Sequence, residues 1–281
     1  MKKVINIILN HIYKIFQYLS LDVALGSIGS SVLAVKTIGV TLPSVYWLIL
    51  PLCVWIIYTS DHLLDALKVR EEATMGRHLF HFIHRKAIAI FLCLAGALAI
   101  LLILRFLDGN TIIFGAFISF LIFLYLLSNH FASRVFRYFP RELIIAAGYT
   151  AGTWGIPILS KYPLINRSDL LFFLNNFLII LSIPLLYSIY EYDADRMAGF
   201  VSFATSFGVK ITELTVLAIL ALSSLVSAWS VFFLQENIGF IMLLMTIALL
   251  VILFFRRKFS INEKYRIIGD STTFLPFLLL V

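Results

Sequence analysis

The sequence predicts an all-α, polytopic membrane protein of about nine transmembrane helices, and three observations carry that expectation. Of its 281 residues, 61% are hydrophobic and 13% charged, against about 25% charged in a typical soluble domain. Apolar runs of about 18 residues or more recur along the chain, the length a helix needs to cross a bilayer. The basic residues gather in alternate intervals between these runs, the asymmetry that orients membrane helices.

The opening stretch, MKKVINIILNHIYKIFQYLS, has its apolar part interrupted by His11 and Lys14 and lacks a small-residue cleavage site. It reads as an interfacial amphipathic helix over 1–20, not a signal peptide. Spans are then expected at about 21–39, 43–60, 86–106, 110–128, 142–160, 169–191, 211–234, 237–255 and 266–281. The first is rich in Gly and Ser and carries Lys36, and the last is short and holds Asp270 and Pro276. Membrane helices accept small and helix-breaking residues where neighbours pack closely. The whole chain, 1–281, reads as one transmembrane domain, with inside loops at 61–85 and 191–210.

With the N-terminus in the cytoplasm, nine alternating spans put 18 of the 22 Lys and Arg residues inside and leave only Lys36, Arg105, Lys161 and Arg167 outside. Omitting the first span would invert every later loop and destroy that bias. The expected location is a bacterial-type inner membrane. The net charge of +7 sits in short loops and forms no stripe or arm, which speaks against nucleic-acid binding. Cys53 and Cys93 fall inside apolar runs and read as buried thiols.

Chemistry is suggested by two acidic clusters. In YTSDHLLDALKVREE, Asp61 and Asp65 are one helical turn apart; in EYDADR, Glu191 and Asp195 have the same spacing, with Asp193 on another face. Both pairs lie at the inside ends of apolar helices, where the helix dipole disfavours anions and the like charges repel. They are either boundary residues, solvated or paired with Arg70, Arg77 or Arg196, or ligands of a cation. Oxygen-only carboxylate pairs suit Mg²⁺, which binds through one or two carboxylates and keeps water and phosphate oxygens as its other ligands. A metal-bridged diphosphate at the inner interface, its apolar group held among the helices behind, would account for both clusters.

These residues resemble the UbiA superfamily of intramembrane prenyltransferases. In that family an acidic D-x-x-x-D segment is followed by a Gly and by a Thr/Ser-rich stretch ending in another Gly. EYDADRMAGFVSFATSFG is similar in order and spacing, with Glu191 in the place of the first Asp, Asp195 in the second, then Gly199, Thr205 and Gly208. The family's first motif, N-D-x-x-D-x-x-x-D, meets SDHLLDALKV here, with Asp61 at the Asn, His62 at the first Asp, Asp65 at the second and Val69 at the last. The resemblance implies a UbiA-like helical bundle that transfers a prenyl group from an isoprenoid diphosphate to a hydrophobic acceptor, aromatic or lipidic. It implies Mg²⁺ held by Asp61, Asp65, Glu191 and Asp195, with Asp65 and Asp195 as the catalytic pair. Arg77 matches the basic residue that covers the diphosphate, although no Pro follows it. Arg141 opens the fifth span on the side where it can reach the same anion. A UbiA-like lipid-binding or assembly protein without catalysis is the alternative. A transporter fits less well, because the charges cluster at one interface and not at the midplane.

His78, His81 and His84, three apart, read as part of a basic interfacial helix before they read as a metal site. Gly148, Gly152 and Gly155 have the spacing of a helix-packing face. Asn129–His130 and Asn175–Asn176 have no evident role in the sequence.

Overall fold

The computed structural model describes residues 14–69, 76–131, 141–234 and 237–281. The side chains of residues 129–131 and 234 fall outside that description, as do Arg70, Arg134, Arg137 and most of the N-terminal helix expected over 1–20; residues 14–18 of the latter are helical. The described residues contain no strand. Among the described residues, eight helices are long and apolar enough to cross a membrane: α1 (Leu21–Ile38), α2 (Tyr46–Val69), α4 (Arg85–Phe106), α5 (Gly109–Phe131), α6 (Arg141–Lys161), α7 (Arg167–Tyr190), α10 (Val209–Trp229) and α11 (Asn237–Phe254). This is an integral membrane protein. Short helices join them: α3 (Gly76–Ile83), α8 (Tyr192–Ala198), α9 (Phe203–Phe207) and α12 (Arg256–Phe259).

The ninth expected span takes a different form. It is an α-helix, α13 (Lys264–Ser271), continued by a 3₁₀-helix over Thr272–Leu280. Eight residues at 1.5 Å and nine at 2.0 Å make about 30 Å, the thickness of a bilayer core. The tighter, longer winding follows a stretch whose inner face is already committed: Gly26 and Gly29 of α1 lie so close to Thr273 that a Cβ at either would collide with it.

The helices form a ring in which α1 packs on α2, α6 and the 3₁₀ segment, α6 packs on α7, α7 on α10, α10 on α11, and α11 returns to the 3₁₀ segment. Leu33, Tyr46, Trp154, Ile179, Leu186, Leu220, Met242 and Leu249 fill its interior. Some polar side chains inside it tie helices together: Ser31 pairs with Tyr46 across α1 and α2 at 2.8 Å, and Asn175 of α7 donates to Ser227 of α10 at 2.9 Å. Asn175 is thereby explained as an interhelical tie. The two outermost helices pack less fully. α4 leans on α2, and α5 on α6 with a lighter contact to α2, which leaves an apolar cleft between the four. Cys53 is half-buried on its wall, and Cys93 lies exposed on α4, so the expectation of two buried thiols fails because α4 turns one face outward.

Candidate active site

The first acidic pair lies on a helix. α2 continues past the expected span end at 60 to Val69, because Leu63, Leu64, Ala66 and Leu67 keep an apolar face in register while Asp61 and Asp65 occupy another. Asp65 is 8% exposed. Both acids face a chamber of about 140 Å³ at the inner end of the ring, which Arg77, Arg141, Glu191, Arg266 and Asp270 also line. The start of α1 is held against this end of α2 by Ser20, whose Oγ lies 3.1 Å from His62 Nδ1, and by Trp55, whose indole N–H donates to the Leu19 carbonyl at 2.8 Å.

Glu191 caps the end of α7 and its side chain is 3% exposed. Its Oε1 accepts from the Tyr265 hydroxyl at 2.8 Å and from the Arg266 guanidinium, and its Oε2 accepts from Arg77 at 3.2 Å. Burial alone would raise this carboxyl, but Arg266, Arg77 and the Tyr265 hydrogen bond outweigh it and hold Glu191 at about 2. The charge on Glu191 is therefore permanent over any physiological range, and its stabilising effect is present above the usual carboxylate range and lost only as the pH falls through about 2. Arg266 is further fixed between aromatic rings, its guanidinium carbon 4.8 Å from the Tyr187 centroid and 5.9 Å from that of Tyr265.

Asp195 sits one turn beyond Glu191 on α8, 2% exposed, outside the chamber wall. Burial raises its carboxyl, with the Arg141 charge opposing, and its Oδ2 has no hydrogen-bond partner among the described residues. The residues that follow build the turn behind it. Gly199 takes the left-handed conformation, φ +71°, that ends α8. Thr205 Oγ1 accepts from the Ser202 backbone N–H at 2.8 Å, and Glu142 accepts the Phe203 N–H at 2.7 Å, so both serve the start of α9.

The chamber adjoins the cleft between α2, α4, α5 and α6, a cavity of about 280 Å³; Tyr58, Asp61, Ile145 and Tyr149 line both. Gly148 and Gly152 belong to the cleft wall, and a Cβ at Gly152 would meet nothing within 4 Å. Of the three glycines expected to form a packing face, only Gly155 packs tightly, against the Phe114 ring. The reason is the sparse contact of α5 with its neighbours, which leaves the middle of α6 uncovered.

The predicted site residues are thus distributed unequally. Asp61, Asp65, Glu191, Arg77 and Arg141 share one chamber, and Asp195 lies behind it. Asp61 and Asp65, one turn apart on the chamber wall, are oxygen donors of the kind a Mg²⁺ that keeps phosphate and water ligands would use. Glu191 does not fit, since its oxygens are taken by two guanidiniums and a phenol. Among the described residues, no three His, Cys, Asp or Glu side chains group closely enough to hold a metal ion by themselves. Arg266, Tyr265, Tyr187 and Asp270 belong to the site and were not singled out by their sequence context; Tyr187 donates to Asp270 at 2.7 Å.

The histidines of α3 do not act together. His84 is exposed, whereas His78 stacks on Phe200 and His81 donates to the Arg77 carbonyl at 2.9 Å. Burial, reinforced by Arg77, holds His78 at about 3, and burial lowers His81 as well, so both rings are neutral at pH 7. An unfolded chain takes up protons on these rings first, so folded stability should fall as the pH drops from about 6.5 towards 3. Thermal unfolding in detergent is expected to show that slope, and His78→Phe is expected to flatten it.

Two solved structures share this architecture. A UbiA homolog from Aeropyrum pernix K1 superposes with a TM-score of 0.65 at 10% identity, over 92% of this chain and 96% of that one. A digeranylgeranylglyceryl phosphate synthase superposes with a TM-score of 0.55 at 15% identity, over 95% and 98%. No protein-family model matches the sequence, and no curated protein matches it. The chain has the UbiA-like fold, an all-α membrane bundle.

Proposed function

We propose that the protein transfers a prenyl group from an isoprenoid diphosphate to a hydrophobic acceptor, aromatic or lipidic, at the cytoplasmic face of a bacterial-type inner membrane, with its N-terminus on that side. The observation that carries this reading is the junction of a charged chamber with an apolar cleft through Tyr58, Asp61, Ile145 and Tyr149. Such a pair of cavities suits a molecule with an anionic head and a long hydrocarbon tail. The fold shared with a UbiA homolog and with a digeranylgeranylglyceryl phosphate synthase supports the same class of chemistry.

Asp61 and Asp65 would hold Mg²⁺. That ion supplies charge neutralisation to the diphosphate and so favours its departure. Arg77, Arg141 and Arg266 face the chamber and stabilise the charge that grows on the leaving group. The prenyl tail lies along the cleft from Asp61 to Tyr46, a length of about 22 Å along α2 at 1.5 Å per residue. An extended chain advances about 1.2 Å per bond, so this length suits about four isoprene units. The walls of the cleft keep water from the allylic carbon.

The test is binding of farnesyl and geranylgeranyl diphosphate to the purified protein with and without Mg²⁺, followed by turnover with aromatic and lipidic acceptors. Mg²⁺-dependent binding is the expected result, and failure of the folded protein to bind either compound would overturn the reading. Binding without turnover on any acceptor would favour the second reading, a lipid-binding protein on this fold, for which the occupied state of Glu191 is the motivating observation.

A further inference from the structure

Glu191 stands where the resemblance places a metal-binding carboxylate, yet both of its oxygens are taken by guanidinium and phenol donors. Tyr265, Arg266 and Arg77 come to it from positions 114 and 75 residues away in the chain for Arg77 and Arg266. One carboxylate between two guanidiniums does not use all their donors, and in a site shielded from water, with Asp270 also acting on Arg266, charge interactions are stronger than in solvent. Arg266 is also clamped by Tyr187 and Tyr265, so its planar fork is oriented before any ligand arrives. Both arginines line the chamber that Asp61 and Asp65 share. Glu191 therefore holds cations at the chamber, and Asp61 and Asp65 of α2 bring anions to it.

We infer that Glu191 is a positioning residue that holds Arg77 and Arg266 as the receptor for one phosphate of the diphosphate, and that the chamber takes a single Mg²⁺, at Asp61 and Asp65, and not one at each acidic pair. This rests on the diphosphate reading above. A bidentate guanidinium matches a phosphate's geometry, and its charge is independent of metal supply. The head group then bridges the metal at α2 and the guanidinium pair held by α7 and α13.

The test counts ions on the full-length chain in detergent. Mn²⁺ with inorganic pyrophosphate is brought to equilibrium by dialysis, and bound ion is taken as the difference between the two compartments. One Mn²⁺ per wild-type chain is expected. Glu191→Gln is expected to keep that one ion, whereas Asp65→Asn loses it. Arg266→Gln is expected to bind pyrophosphate at least ~10-fold more weakly, about 1.4 kcal/mol, with its ion count unchanged, and Arg266→Lys is expected not to restore the affinity. Two ions per wild-type chain, or an ion lost in Glu191→Gln, overturns the inference while the diphosphate reading stands. Full recovery in Arg266→Lys overturns the positioning role, because charge alone would then suffice. A folded wild-type chain that binds neither Mn²⁺ nor pyrophosphate overturns the inference and the reading together. If Glu191→Gln does not fold, the wild-type count decides.

Discussion

Asp65→Asn is expected to lower prenyl transfer by at least ~100-fold, the scale lost when one electrostatic contact to a reacting group is removed, while the protein stays folded. The substitution is nearly isosteric and removes the charge that, with Asp61, makes the α2 side of the chamber attractive to a divalent cation. It relieves like-charge repulsion one turn apart on a helix face and at the same time removes a charge that acts on Arg141, so the change in thermal stability in detergent should be small. Turnover with a labelled prenyl diphosphate, measured beside the unfolding temperature, separates the two effects. An Asp65→Asn protein with full turnover would remove the metal from the reading. Asp195→Asn is the informative companion, because Asp195 lies outside the chamber wall and acts on it through the charges of Arg141, Glu191 and Arg77.

Gly152→Phe is expected to change which tails the protein accepts. The position faces open space in the apolar cleft, so a ring there should fold without a clash and occupy volume that the distal part of the tail needs. Each CH₂ denied burial costs about 0.8 kcal/mol, and exclusion of one isoprene unit should weaken geranylgeranyl diphosphate at least ~10-fold while a shorter geranyl chain binds as before. Competition binding with diphosphates of increasing length measures this. Uniform weakening across all lengths would place the tail elsewhere.

The helices were legible in the sequence because hydropathy reports burial in lipid directly, and the described helices begin and end near the expected positions. The exceptions are physical. Hydropathy falls at Asp61 although the helix does not end there, since an amphipathic face at Leu63, Leu64 and Leu67 maintains it. The last span reads as one helix, with Pro276 as a local sign of irregularity, but its close packing on Gly26 and Gly29 is announced by no local pattern. The acidic pairs were legible by spacing; their partners were not. Arg77 is among the expected partners with Arg70 and Arg196, but nothing near Glu191 in the sequence indicates that Arg266 and Tyr265, and not Arg196 close by, will meet it. Small residues three or four apart look alike whether they face a helix or a cavity, so Gly155 and Gly152 differ only through the placement of α5.

The packing of the 3₁₀ segment on α1 has a consequence for how the protein is made. Gly29 and Thr273 touch although about 240 residues separate them, a contact of the kind that is slow to form. Arg266 and Tyr265 lie just ahead of that junction. During synthesis Glu191 is therefore inserted at the membrane boundary long before two of its three partners exist, and until α13 docks its carboxylate lacks the Arg266 guanidinium and the Tyr265 hydroxyl. Ring closure and charge pairing at the site are one event, completed when α13 and the 3₁₀ segment dock. A ribosome-bound chain stopped before Lys264 would carry both acidic pairs and yet possess no finished chamber.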